Sequence, residues 1–105
     1  MVHKVIVTGR AHKQFQAICN YLAEEFGERT ADGFETEVDN CINMLRKFPK
    51  SGHPEFTERK YTYRSKIVGK YNKMYYVIKG NTLYLLAFAD MRMRPDKIAK
   101  IVTGR

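Results

Sequence analysis

The chain has 105 residues, 44% hydrophobic and 29% charged, so it is long enough for one domain, predicted to span residues 1–105. Its composition is globular, which excludes a disordered, collagen-like or membrane-spanning chain. Lys and Arg number 19 against 11 Asp and Glu, a formal net charge of +8, and this excess predicts an anionic partner, either nucleic acid or an acidic protein.

The first predicted element is a strand over residues 2–7, a short and mostly β-branched segment. A helix follows, with Thr8 as its N-cap, because apolar side chains recur over residues 11–26 at steps of three and four. Gly27 is predicted to close this helix in a left-handed C-cap conformation.

A second helix is predicted to begin after a turn over residues 27–29, with Thr30 as its cap. Its apolar positions recur over residues 34–45, so the two helices are expected to form a hairpin. Residues 47–60 contain two prolines and a glycine among charged residues, and we predict a loop over this whole segment.

Three strands are predicted next, over residues 61–68, 71–78 and 82–89, because these segments are rich in Tyr, Val, Ile and Leu. The pairs Gly69-Lys70 and Gly80-Asn81 separate them, and glycine in first position is typical of a type II′ hairpin turn. We therefore predict an α+β fold. Its antiparallel sheet has three or four strands, the helical hairpin packs on one face, and the first strand lies at an edge.

The opposite face of this sheet is expected to be open and cationic. Depending on register, it would carry Arg64, Lys66, Lys73 and either Tyr71 or Tyr75. The tail over residues 95–102 fits either a short helix or an extra strand.

The positive charge is concentrated in the second half of the chain, since residues 1–59 carry a net charge of −1 and residues 60–105 carry +9. Cations alternate there with tyrosines, a combination that can bind phosphates and stack on bases. We expect these cations to share one open surface. The cations concerned are Arg64, Lys66, Lys70, Lys73, Lys79, Arg92 and Arg94.

Several other classes of site find no support in the sequence. No phosphate-binding loop, metalloprotease or hydrolase motif is present, and the three histidines lack metal-ligand spacing, so neither a metal nor a cofactor is predicted. Cys19 and Cys41 lie among apolar helical positions and are predicted to be reduced core side chains, with a disulfide between the helices as the alternative. No apolar run approaches a signal peptide or a bilayer span, and a cytoplasmic protein without a membrane partner is expected.

Taken together, the apolar helical positions and the late strands resemble the RelE/ParE toxins of type II toxin-antitoxin (plasmid stabilisation) systems over nearly the whole chain. The resemblance implies a small sheet backed by an N-terminal helical hairpin, growth arrest in bacteria, and neutralisation by a cognate antitoxin protein. It rests on Ala11, Ile18, Tyr21, Phe34, Val38, Ile42 and Leu45, then Pro49 and Gly52, Tyr63-Arg64, the strand KYNKMYYVI and the segment FADMRMRPDKI.

Two mechanisms follow from the resemblance. RelE-like members cleave mRNA on the ribosome, and the matching positions here would make Arg64 and Arg92 phosphate-binding residues and Lys66 or Lys70 a base. Many such enzymes carry Tyr or His after the last-strand arginine, but residues 93–105 contain neither.

ParE-like members inhibit DNA gyrase and need no acid-base pair. The segment ADMRMRP resembles their strand-end pattern, although Asp90 stands where His is frequent, so the ParE-like mechanism is favoured. A degenerate member that only binds its antitoxin is the third alternative. The residues expected to bind a partner or nucleic acid are Arg64, Tyr71, Lys73, Tyr84, Arg92 and Arg94.

Overall fold

The computed structural model describes residues 2–103, which form three helices and a five-stranded sheet. Along the chain these are β1 (Lys4–Val7), α1 (Gly9–Phe26), α2 (Glu28–Lys47), β2 (His53–Glu58), β3 (Tyr61–Val68), β4 (Asn72–Lys79), β5 (Thr82–Asp90) and α3 (Pro95–Thr103). The strand order is β1-β5-β4-β3-β2; β1 runs parallel to β5 and the other neighbours are antiparallel. The α+β fold is confirmed, whereas the sheet has one more strand than expected and one parallel pair.

The helical hairpin begins at the predicted residue, but the turn between its helices is shorter than the predicted turn over residues 27–29. The Thr8 hydroxyl accepts a hydrogen bond from the backbone N–H of Ala11 at 3.2 Å, so Thr8 is the N-cap of α1. Gly27 has a φ of 96° and ψ of 163°, an extended conformation with positive φ and not the left-handed helical cap that was expected. This single residue joins the helices, so α2 starts at Glu28. Thr30 lies inside α2 and is not its N-cap; its hydroxyl donates to the Phe26 carbonyl at the end of α1 at 3.4 Å.

One face of the sheet packs against the helical hairpin and contains the main core. Phe15 of α1 is partly buried and packs against this core, with its ring centroid 5.9 Å from that of Phe34 and 5.8 Å from that of Phe88. Cys19 and Cys41 are free thiols that pack, half-buried, against this core, and burial raises the pKa of both. The buried members are Val2, Ala11, Phe34, Val38, Leu45, Val68, Met74, Tyr76, Leu83, Leu85 and Phe88.

The segment predicted as a loop over residues 47–60 contains the edge strand β2 (His53–Glu58), so that prediction was wrong. Pro54 is tolerated because an edge strand needs hydrogen bonds on one side only, and a bulge between Pro54 and Phe56 restores the pairing with β3. The Phe56 ring stacks on Tyr63 with centroids 4.8 Å apart. Tertiary contacts therefore stabilise a strand that Pro54, and Gly52 just before it, disfavour.

Both glycine turns have the predicted positive φ, 68° at Gly69 and 62° at Gly80. The first connection is one residue longer than expected, because β4 covers Asn72–Lys79 instead of residues 71–78. Tyr71 consequently lies in the turn and not in the strand.

The second face of the sheet is not open, because α3 packs on it. Ile98 and Val102 of this helix contact a second core cluster that includes Tyr75, Ala87 and Ala89. The tail is therefore helical, and the helix starts at Pro95, a position where a missing backbone N–H costs nothing.

The register places two of the predicted surface cations on the side of the sheet that packs against the helical hairpin, and not on the opposite side as expected. Arg64 is paired with Tyr76 and Lys66 with Met74, and both partners belong to the core beneath the helical hairpin. Lys73 is offset by one residue and points to the other face. The expectation that Arg64, Lys66 and Lys73 share a face was wrong.

Candidate functional site

A cavity of about 980 Å³ lies between the helical hairpin and the end of the sheet where β3 turns into β4 and β5 ends. We call it the hairpin groove. The helices supply most of its apolar side chains, and the strand ends supply charged ones. It is lined by Ala17, Ile18, Tyr21, Leu22, Phe26, Thr30, Phe34, Glu37, Gly69, Lys70, Tyr71, Asn72, Asp90 and Arg92.

Exposed aromatic rings line this groove. Tyr21, Phe26 and Tyr71 are 57%, 64% and 47% exposed, and the Tyr21 and Phe26 rings contact each other edge to face at 6.3 Å. Large aromatic side chains left in water around a concave apolar surface are typical of a protein-binding site. The geometry therefore favours a macromolecular ligand.

Two cations flank Tyr71 at the charged end of the groove. The Lys70 ammonium lies 5.5 Å from the ring centroid and the Arg92 guanidinium carbon 4.9 Å from it. The Met91 N–H donates to the Tyr71 carbonyl at 2.7 Å, which ties the end of β5 to this turn. We call Lys70, Tyr71 and Arg92 the Tyr71 cluster.

The Asp90 carboxylate and the Arg92 guanidinium form a bidentate ion pair. Arg92 Nε donates to Asp90 Oδ1 at 2.9 Å and Arg92 Nη2 to Oδ2 at 2.6 Å, and the Arg92 backbone N–H also donates to Oδ1 at 2.8 Å. These hydrogen bonds from Arg92 lower the pKa of Asp90 to about 2, and Asp90 in turn raises the pKa of Arg92. The pair is ionised at physiological pH and carries no net charge. Lys70 therefore supplies the net positive charge at this end of the groove.

The turn that carries Lys70 and Tyr71 is fixed against α2. The Glu37 carboxylate accepts a hydrogen bond from the Gly69 N–H, and a Cβ at Gly69 would lie 3.0 Å from the Phe34 ring. Gly69 thus combines a positive φ with close contact to the helix. Lys70 is therefore presented by a constrained backbone.

Arg64 and Lys66 lie outside the hairpin groove. Arg64 Nη1 donates to the carbonyl oxygens of Lys50 at 3.2 Å and Gly52 at 3.0 Å, so this guanidinium holds the segment between α2 and β2. The same segment is bound by Tyr76, whose hydroxyl donates to the Pro49 carbonyl at 2.7 Å. Arg64 thus has a structural role that the sequence did not reveal.

Lys73 lies on the face of the sheet that carries α3. Its ammonium is 3.1 Å from Glu55 Oε2, and that oxygen also accepts from the Ser65 hydroxyl. Burial raises the pKa of Glu55, but the hydrogen bonds from Ser65 and Lys73 outweigh it and hold this pKa below its usual value. Burial raises the pKa of the neighbouring Tyr75 to about 12.

The other two predicted partner-binding residues are also separate from the groove. Tyr84 is half-buried in β5, one position away from the core residues Leu83 and Leu85, and so points to the face that carries α3. Arg94 pairs with Asp96 at 3.4 Å.

Of the predicted site residues, the structure brings together Lys70, Tyr71 and Arg92. Arg64, Lys66, Lys73 and Tyr84 are distributed over both faces of the sheet, and Arg94 lies just before α3. The expectation of one shared cationic surface was therefore wrong. The sequence also did not identify Phe26 as a groove residue, because its spacing in α1 is that of a core side chain, yet α1 extends past the core and leaves it exposed. Asp90 was noted only as an exception to a pattern, although its position two residues before Arg92 indicates an ion pair.

Two further findings concern residues 2–103. Within this range, no group of three or more His, Cys, Asp or Glu side chains is arranged to hold a metal ion. None of the helices described there is long and apolar enough to span a bilayer.

Comparison with known proteins identifies the fold and the family. A structure of the chromosomal ParDE TA system from P. aeruginosa matches with a TM-score of 0.69 and 14% sequence identity, covering 85% of this chain and 96% of that chain. No curated protein sequence matches significantly. The family model for the ParE toxin of the type II toxin-antitoxin system parDE matches residues 5–95. The chain therefore belongs to the ParE toxin family, whose members are growth-arresting toxins paired with an antitoxin.

Proposed function

We propose that this toxin arrests growth by inhibiting DNA gyrase, and that its antitoxin neutralises it by occupying the hairpin groove. The observation that carries the proposal is the groove itself, an apolar concave surface with exposed aromatic rings and the Tyr71 cluster at one end. Such a surface suits binding to another protein, and gyrase inhibition requires binding and no acid-base chemistry of the toxin's own.

The distribution of the cations supports this mechanism over mRNA cleavage. Arg64 is paired with Tyr76, and the strand end before Arg92 is paired with Asn72, so the two sites are four residues apart on β4, about 13 Å. Each arginine is also bonded within the chain, Arg64 to carbonyl oxygens and Arg92 to Asp90. A phosphate bound by both guanidinium groups would need to displace these contacts.

The groove has the features expected of an antitoxin site. An amphipathic segment can place apolar side chains between Tyr21 and Phe26 and a carboxylate near Lys70, which matches the predicted acidic partner. Such a segment would bind in the space between the helices and the sheet end, and not on the open sheet face expected from sequence, which α3 covers. Neutralisation would then be steric exclusion of the target from the Tyr71 cluster.

The target is tested by adding the purified toxin to a gyrase supercoiling reaction and, separately, to programmed ribosomes followed by primer extension. We expect inhibited supercoiling and intact mRNA. Arg92→Ala should weaken inhibition at least about tenfold, the loss of one charge-assisted contact. Arg94→Ala is the matched control, since Arg94 is also a paired, exposed arginine but does not line the groove. Cleaved mRNA with unaffected gyrase would overturn the proposal in favour of a nuclease, and no effect in either assay would favour a member that only binds its antitoxin.

The antitoxin site is tested by co-purification of the toxin with the protein encoded beside it. Tyr21→Ala with Phe26→Ala should reduce binding, because both rings line the groove. Met44→Ala with Phe48→Ala is the matched control, since these side chains are 50% and 59% exposed elsewhere on the molecule. Equal binding by both variants would place the antitoxin on another surface.

A further inference from the structure

The end of the sheet opposite the hairpin groove carries a second concentration of positive charge. Lys4 of β1 and Lys79 of β4 are both in register with Thr82 of β5, which lies between them. Lys4 and Lys79 are therefore separated by two strand spacings, about 10 Å. The turn between β2 and β3 adds Arg59 and Lys60 at the same end, because β3 starts at Tyr61. We call Lys4, Arg59, Lys60 and Lys79 the basic end.

Two cations of the basic end share one aromatic ring. The Lys79 ammonium lies 4.8 Å from the Tyr61 ring centroid and the Lys60 ammonium 5.8 Å from it. Cation-π attraction offsets the repulsion between the two like charges and holds them at one place on the surface. The arrangement therefore keeps the positive charge concentrated.

Arg59 occupies a backbone conformation that favours glycine. Its φ is 58°, the one positive φ among the non-glycine residues that the structure describes. Glycine or asparagine would adopt this turn at a lower free energy, whereas the chain places a guanidinium there. A strained residue at a turn is a reason to look for a function of its side chain.

The chemistry of the surroundings indicates what the basic end binds. Within residues 2–103, no carboxylate lies within 4.0 Å of Lys4, Arg59, Lys60 or Lys79, whereas Lys73, Arg92 and Arg94 are each paired. The turn that carries Arg59 and Lys60 and the strand β4 that ends at Lys79 hold no exposed large apolar side chain, and Val7 on β1 lies three residues after Lys4. The basic end itself therefore lacks the apolar anchors of a typical protein interface. Concentrated, unpaired cations without apolar anchors favour a polyphosphate backbone over an acidic protein.

We propose that the basic end binds the sugar-phosphate backbone of nucleic acid, independently of the hairpin groove. Duplex DNA carries one negative charge per about 1.7 Å of helix axis, so the row from Lys4 to Lys79 faces several phosphates at once. Glu58 lies beside Arg59 and Lys79 in a cleft of about 130 Å³, so the contact is made by the outer ends of the cationic side chains and not inside this cleft. Binding is independent of sequence, because the attraction between these cations and the phosphates does not depend on the bases.

The test measures binding of the full-length toxin to duplex DNA, single-stranded DNA and single-stranded RNA of equal length by fluorescence anisotropy across a KCl series. The basic-end variant carries Arg59→Gln, Lys60→Gln and Lys79→Gln. The control variant carries Lys13→Gln, Arg29→Gln and Lys97→Gln, which also removes one arginine and two lysines, all exposed and outside the basic end. Circular dichroism confirms that both variants are folded, and polyglutamate serves as an acidic polypeptide probe.

The wild-type protein should bind nucleic acid with an affinity that falls steeply as salt rises. The slope of log K against log salt for duplex DNA should shrink by roughly 2 to 3 in the basic-end variant, close to 0.9 per lost phosphate contact, and stay the same in the control. Comparison of the three oligonucleotides identifies whether DNA or RNA supplies the backbone. An unchanged slope in the basic-end variant, an equal loss in the control, or binding of polyglutamate without binding of nucleic acid would each overturn the proposal. A failed gyrase assay would leave these outcomes unaffected.

Discussion

Replacement of Gly52 by alanine should destabilise the protein strongly, because no space exists for a methyl group. A Cβ at Gly52 would lie 2.4 Å from the Tyr76 hydroxyl oxygen, 2.7 Å from Tyr76 Cε1 and 2.9 Å from the Ser65 carbonyl oxygen. Tyr76 is fully buried and cannot move away, and the Ser65 carbonyl belongs to the backbone of β3. The clash is therefore not relieved by a side-chain rotation.

The cost has two parts. Overpacking of a tight site costs about 1 to 3 kcal/mol. Displacement of the Tyr76 ring also breaks the hydrogen bonds of its hydroxyl with the Gly52 N–H and the Pro49 carbonyl, and leaving such groups unpaired costs about 1 to 3 kcal/mol. We therefore expect Gly52→Ala to lower the free energy of unfolding by about 2 to 6 kcal/mol.

Urea denaturation of three variants checks this reasoning. Gly33→Ala is the matched control: nothing lies within 4 Å of its Cβ, so alanine inside α2 should stabilise by about 0.5 to 1 kcal/mol. Tyr76→Phe removes the nearest atom, so Gly52→Ala should cost less in that background than in the wild type, although Cε1 and the Ser65 carbonyl remain. A midpoint for Gly52→Ala close to that of the wild type would refute the argument.

Gly80→Val should destabilise by more than about 1 kcal/mol, because a β-branched residue resists the φ of 62° there, and an unchanged melting temperature would show that the turn has another conformation. Arg64→Ala should lower stability by about 1 kcal/mol in chemical denaturation by releasing the carbonyls of Lys50 and Gly52, so any loss of toxicity should be accompanied by a loss of stability; loss of toxicity at full stability would assign Arg64 to the site instead. Asp90→Asn should lower the melting temperature at neutral pH. The folded-state pKa of Asp90 is depressed from 3.8 to about 2, so its contribution is present above pH 3.8 and is lost as the pH falls through 2; thermal melts at several pH values should show the two proteins converging in this window, and a constant difference would mean that Asp90 is not responsible.

The helices and the three central strands could be predicted from the sequence because their signals are local. Thr8 caps a periodic apolar stripe, and Gly69 and Gly80 stand between segments rich in β-formers, so neither prediction needed long-range information. The strand β2 could not be predicted, since Pro54 and Gly52 disfavour it locally and it exists because β3 offers an unpaired edge. Local signals therefore account for the helical hairpin, the central strands and β1, and not for the edge strand β2.

The candidate site was harder to predict because it depends on which elements cover which part of the sheet. Arg64 and Lys66 were expected to point away from the helices, since charged residues normally avoid a covered face. A sheet of five strands is wider than two helices, so positions on β3, next to the edge strand β2, remain accessible on the helical side. The sequence left the tail over residues 95–102 open between a short helix and an extra strand, and the face it covers depends on the chain reversal at residues 91–94, which carries no clear signal.

The parallel pairing of β1 with β5 has a consequence for the order of events during synthesis. Residues 4–7 leave the ribosome well before their partners, residues 82–85, and the Thr8 hydroxyl donates to the carbonyl of Leu86. Translation adds roughly 5 to 20 residues per second, so the N-terminal segment waits several seconds before its place in the sheet exists. The nascent chain therefore cannot complete its native structure, and with it any harmful activity, until residues 82–86 have been translated.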